Sequence, residues 1–200
     1  MILEVVGVLK AEIPAKKTAE AVAETLASLK KELLFQAPLK TRKQYLGAPG
    51  APDLKIKAGQ LVEVLGKGSF SWVIQFLGLH ASTRVVWVNS LAIELFPVAV
   101  AQESLALSRI LFIEKVAAPK AGNLFMTLLR SKLFQVVVLD QALIPRRNFD
   151  VQMRKLQLVA EECEVVLVML SQQATQSFTV NIQVDTENEI RLRKVKGGTL

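Results

Sequence analysis

The chain has 200 residues, 51% of them hydrophobic and 22% charged, which suits one compact domain with a sizeable core. Lys and Arg number 25 against 18 Asp and Glu, and the resulting net charge of +7 favours nucleic acid or an acidic protein as partner. No apolar stretch approaches a membrane span, MILEVVGVLKAEIP lacks the features of a secretory signal, and the only cysteine, Cys163, cannot form an internal disulfide, so no membrane association and a cytoplasmic location are expected.

Val22, Leu26, Leu29 and Leu33 recur at helical spacing, which predicts an amphipathic helix over 17–35 whose apolar stripe is a candidate partner contact. The stretch LGAPGAPD at 46–53 holds two Gly and two Pro and reads as a linker. The expected organisation is therefore a helical appendage over 1–46, a linker over 47–59 and a core domain over 60–200.

Strands and helices alternate through that core. Strands are expected at Leu61–Leu65, Val85–Val88, Arg109–Ile113, 136–139 (VVVL) and 165–170 (VVLVML). Helices are expected at Trp72–Leu79, around 94–106, at Leu124–Leu133 and at 151–164. Uninterrupted apolar strands between helices mark a parallel sheet covered on both faces, so the fold class is α/β. The chain closes with FTVNIQV, the polar turn D-T-E-N and EIRLRKV, patterned as an antiparallel hairpin. Arg191, Arg193, Lys194 and Lys196 gather at this end, with Arg191 and Arg193 on one strand face by the period of two. With Arg146 and Arg147 they are the candidate contacts for a protein partner or nucleic acid. Cys163 shares a helical face with Leu156, Val159 and Ala160 and is expected to be a buried, inert thiol. His80 follows a helix and is expected at its C-cap or in solvent.

Residues 61–77, LVEVLGKGSFSWVIQFL, have the frame of a phosphate-binding loop: an apolar strand, Gly66, four residues, a second small residue and an apolar helix. A working loop reads G-x-x-x-x-G-K-[ST], its backbone N–H groups cradling phosphates, its Lys reaching the terminal ones and its hydroxyl holding Mg²⁺. Ser71 stands where the second Gly belongs, Trp72 replaces Lys, and Val73 replaces Ser/Thr. An indole carries no positive charge and a valine offers a metal no oxygen. Trp72 is instead expected to fill the vacated pocket. Asp140, closing VVVL, is expected to be a structural carboxylate. This set of Gly66, Ser71, Trp72, Val73 and Asp140 reads as a degenerate, inactive nucleotide site, with no cofactor and no metal.

The order of elements and these local sequences over 60–196 resemble the core of the RecA recombinase family. LVEVLG is similar to that family's strand into the P-loop, FQVVVLD to its Walker B strand, and VLVMLSQQ to the strand whose polar end senses nucleotide, here Ser171 and Gln172. The family's catalytic glutamate falls at Leu91, and Asn89 replaces an acid. A leucine cannot act as a general base. The helix MRKLQLVAEE and the ending RLRKVKGG resemble the ImuA branch more than the SulA branch of truncated relatives. That resemblance implies a non-enzymatic, RecA-like accessory protein of the SOS DNA-damage response. Its partners would be an ImuB-like Y-family polymerase subunit and RecA, with single-stranded DNA as a weaker one, and its role would be error-prone translesion DNA synthesis. The alternatives are a SulA-type inhibitor of cell division and an ATP-dependent DNA-binding recombinase.

Overall fold

The computed structural model describes residues 24, 27–28, 45–80, 82–90, 107–116, 118–175, 178, 180–184 and 190–195, and nine strands and three α-helices are delimited among the described residues from 45 onward. Of the expected 17–35 helix it describes Glu24, Ala27 and Ser28, all helical; Val22, Leu26, Leu29 and Leu33 lie outside the described residues, as do the 94–106 stretch, Leu91 and Lys196.

The expected linker is a β-hairpin. β1 (Tyr45–Ala48) pairs antiparallel with β2 (Ala51–Lys57), turning at Pro49 and Gly50. In β2 the exposed Asp53, Lys55 and Lys57 alternate with buried Leu54 and Ile56, the period-two pattern of a strand lying on a core. Gly50 has φ +66 and packs so closely on Ile190 that a Cβ there would collide with its side chain. The ribbon is thus fastened to the body of the protein.

The main sheet contains β3 (Leu61–Leu65), β4 (Val85–Ser90), β5 (Ile110–Val116), β6 (Val136–Asp140), β7 (Val166–Ser171), β8 (Val180–Val184) and β9 (Ile190–Val195), in the order β5-β4-β6-β7-β3-β8-β9. Every neighbouring pair is parallel except β8 with β9, which closes one edge as an antiparallel hairpin. β3 lies centrally, with Val62 opposite Val168 on β7 and Val180 on β8. The three helices, α1 (Ser69–Leu79), α2 (Ala118–Arg130) and α3 (Phe149–Cys163), follow β3, β5 and β6.

Alternation along the strands divides the core in two. Val62, Val64, Trp87, Val138, Val168 and Ile182 face one side, where α1 and the hairpin cover them. Leu61, Val86, Val88, Val137, Leu139, Leu167 and Met169 face the other, against α2 and α3. Strands buried on both faces cannot alternate apolar with polar residues, which is why β3, β6 and β7 read as nearly continuous apolar runs. A single polar residue inside such a run is therefore costly. Glu63 is that residue.

Candidate functional site

Three groups of residues meet at the end of β3: the turn into α1, the hairpin that packs on α1, and the polar cluster around Glu63.

The turn is shorter than its sequence spacing suggests. α1 begins at Ser69, so Ser71, Trp72 and Val73 already lie in its first turns rather than in a loop. Only Gly66, Lys67 and Gly68 connect strand to helix. Gly66 adopts φ +95, and a Cβ there would run into the carbonyl of Val184 at the end of β8. The same carbonyl accepts from Gly68 N at 3.3 Å, and Ser69 N donates to Gly66 O at 3.1 Å. Two of the amides that a phosphate would require are thus committed to protein carbonyls. Lys67 and Ser71 are exposed, whereas Val73 is buried among apolar residues.

Trp72 points into the layer between α1 and the hairpin, not into a nucleotide pocket. It is 1% exposed, stacks on Phe76 with ring centroids 5.3 Å apart, and donates its indole N–H to Pro49 O at 3.2 Å. One turn beyond Phe76, His80 is buried with its Nε2 2.9 Å from Gly47 O. Thr83 Oγ1 donates to His80 O at 2.6 Å. His80 is therefore a C-cap residue as expected, but a buried one that ties α1 to β1.

Asp140 caps a short 3₁₀ turn at Gln141–Leu143, accepting from Ala142 N at 3.0 Å. β7 separates β6 from β3, which places Asp140 roughly 10 Å laterally from the β3 line at the usual strand spacing. Asn89, on β4, is 2% exposed, and its Nδ2 finds no hydrogen-bond partner among the described residues.

The polar cluster is absent from the sequence expectations. Glu63 is fully buried on the side of the sheet that packs α2 and α3, opposite Asn181 of β8 and Met169 of β7. Thr175 N donates to both carboxylate oxygens, at 3.2 and 3.0 Å, and Asn181 Nδ2 donates a short hydrogen bond to Oε2. Ser171 Oγ lies near enough to help stabilise the charge but forms no hydrogen bond of standard geometry. Burial pushes the Glu63 carboxyl above its ordinary 4.5, and the bonds from Thr175 and Asn181, with the nearby Ser171 hydroxyl, only partly offset this. Ser171 was expected at the sensing end of its strand; the structure brings it to this carboxylate. The only trace in the sequence is one acid inside LVEVL, and recognising its burial requires knowing that β3 lies between β7 and β8.

The remaining candidates lie apart from this region. Arg146 and Arg147 are both exposed, on the segment before α3. Along β9 the register pairs Arg191 with Gln183, Leu192 with Ile182 and Lys194 with Asn181, leaving Arg193 as the extra residue of a bulge. The bulge interrupts the regular period of two at Arg193. Cys163 is buried, as expected. Among the described residues no group of His, Cys, Asp and Glu has the arrangement of a metal site, and no helix is long and apolar enough to cross a membrane.

Comparison with known proteins finds neither a protein-family model nor a curated sequence that matches this chain.

Proposed function

We propose that this protein is a non-catalytic, RecA-like accessory protein that bridges subunits for error-prone DNA synthesis in the SOS response. The observation that carries its non-catalytic character is the closed turn at Gly66–Gly68. A strand enters a helix where a P-loop would be, yet the turn is three residues long and its amides bond to Gly66 and Val184. The residues that would grip phosphate and Mg²⁺ are an indole and a valine, both buried in the hydrophobic layer.

Support for the RecA-like reading comes from the resemblance over 60–196 and from the central position of β3 in a mostly parallel sheet that ends in an antiparallel hairpin. A protein that keeps such a scaffold without its phosphate chemistry is suited to docking other chains. ImuB-like polymerase subunits and RecA are the proposed partners, and single-stranded DNA a weaker one.

Purified protein titrated against RecA and an ImuB-like subunit tests the reading, with association expected at micromolar concentration or below. No association with either, or ATP hydrolysis stimulated by DNA, would sink it. Filamentous growth on expression, without binding to those partners, would point to a division inhibitor instead.

A further inference from the structure

The side of the molecule formed by α2 and α3 carries features that neither the Gly66 turn nor the Glu63 cluster uses. Between the two helices and the segment before α3 lies a cleft of about 260 Å³. Met126, Pro145 and buried Leu156 give it an apolar floor, and Asn123, Gln152 and Lys155 line it with polar groups. Its apolar surface continues onto the outside of α3. At 3.6 residues per turn, Val151, Lys155 and Leu158 fall within roughly 60° of one another. Val151 is 56% and Leu158 50% exposed, an uncommon pairing of large aliphatic side chains on one helix face.

The charge around the cleft is one-sided. Among the described side chains of the segments that bound it, exposed Arg130, Arg146, Arg147, Arg154 and Lys155 stand against Asp150 alone. Glu161 and Glu162 come only in the last turn of α3 and mark where the basic surface ends. We propose that this cleft and the adjoining face of α3 form a docking groove for an acidic amphipathic segment of a partner protein. One apolar side chain of the partner would sit between α2 and α3, and its carboxylates would meet the surrounding cations.

The size of the cleft favours this occupant, since about 260 Å³ holds one large side chain but is smaller than most small-molecule sites. Its chemistry argues against nucleic acid. Phosphates gain nothing from Val151 and Leu158, and the described aromatic rings of these segments offer a base no surface to stack on: Phe125 is buried and Phe149 packs against the core. The helix-in-groove arrangement uses apolar anchors with a polar rim, as here. This inference does not depend on the proposed role in DNA synthesis.

The test uses three fluorescent probes with the full chain, read by anisotropy at about 0.15 M salt, where screening acts beyond roughly 8 Å. The first is a 15-residue peptide with Leu and Phe at helical spacing among Asp and Glu. The second replaces its acids by Lys, and the third is a 15-nucleotide oligothymidylate. The acidic peptide should bind and the Lys peptide should not. R154E/K155E should weaken the acidic peptide at least about 10-fold. V151S/L158S leaves the charge unchanged and should weaken it roughly 5-fold without moving the oligothymidylate. All four positions are exposed, and circular dichroism confirms that each variant is folded. No binding of the acidic peptide by the unaltered chain would overturn the proposal. So would an affinity that V151S/L158S leaves unchanged, which would show general attraction to a basic protein. Oligothymidylate bound more tightly than the peptide, and lost in R154E/K155E, would assign the face to nucleic acid.

Discussion

Glu63 sits where a carboxylate is expensive, in an interior strand with both faces covered. Hydrogen bonds from Thr175 and Asn181 compensate for part of this, yet its affinity for protons stays above that of an exposed glutamate. Between 4.5 and its folded value the native state binds more protons than the unfolded chain, so stability must fall as pH rises through that window. Below 4.5 the carboxyl is protonated in both states and the penalty disappears. Glu63→Gln removes the slope, so in denaturant titrations from pH 4 to 8 the variant should gain on the parent as pH rises above 4.5 and stop gaining once the folded-state carboxyl has ionised. A gap that stays constant over that range would show that burial does not perturb Glu63. Gly66 gives a residue-scale test of a different kind. Alanine there meets both a left-handed φ and the Val184 carbonyl, so Gly66→Ala should cost at least about 2 kcal/mol in unfolding free energy. A cost below half of that would mean that the turn can open.

Among the elements, the strands were legible and two connections were not. VVVL and VVLVML declare themselves because a strand buried on both faces has no polar residues to interrupt it, and the hairpin of β8 and β9 shows its alternation and its polar turn. The 46–53 stretch is a hairpin rather than a linker because Gly and Pro mark a tight hairpin turn as readily as a linker. The decisive signal lay just beyond, in D-L-K-I-K, where Leu54 and Ile56 alternate with charge. The Gly66 turn misled for another reason. Motif spacing counts residues, whereas a cradle requires free amides in the loop and first helical turn, and here Gly68 N and Ser69 N are bonded to protein carbonyls. Trp72 joins these two elements, since its indole N–H reaches Pro49 while its ring stacks on Phe76. Trp72→Phe keeps a stacking ring but deletes that donor from a buried site. It should cost about 1–3 kcal/mol, through the lost hydrogen bond and the smaller side chain. Trp72→Phe with unchanged stability would mean that the hairpin is held by its apolar contacts alone.

For the molecule as a whole, the boundary at residue 46 cuts through β1, and the compact body begins no later than Tyr45. Removing residues 1–48 takes buried Leu46 and Ala48 and the Gly47 carbonyl beside His80, while removing residues 1–44 spares them. The longer truncation should melt roughly 10 °C below the shorter, given about 2–5 kcal/mol for a lost core leucine and 2–4 °C per kcal/mol at this size. Equal melting points would return the hairpin to the status of a linker.

Nucleotide binding is the property that depends on the whole sheet, because a nucleotide at the carboxyl ends of the strands needs several of them at once. β3 must offer free amides, yet its turn bonds to Gly66 and Val184. β6 must offer a carboxylate for Mg²⁺, yet Asp140 accepts from Ala142 N in its own 3₁₀ turn. β7 must offer a polar group at its end, yet Ser171 faces the buried Glu63. Competence would require rebuilding all three, so ATP should not bind measurably. Melting with Mg²⁺ and 1 mM ATP gives a sensitive readout. A ligand at about 100 times its dissociation constant stabilises by about 2.7 kcal/mol, so a Kd of about 10 μM would raise Tm by roughly 5–10 °C. The expected shift is below about 1 °C. A rise of several degrees that requires Mg²⁺ would show that the turn at Gly66 opens to admit phosphate, and the accessory role would have to become a nucleotide-dependent one.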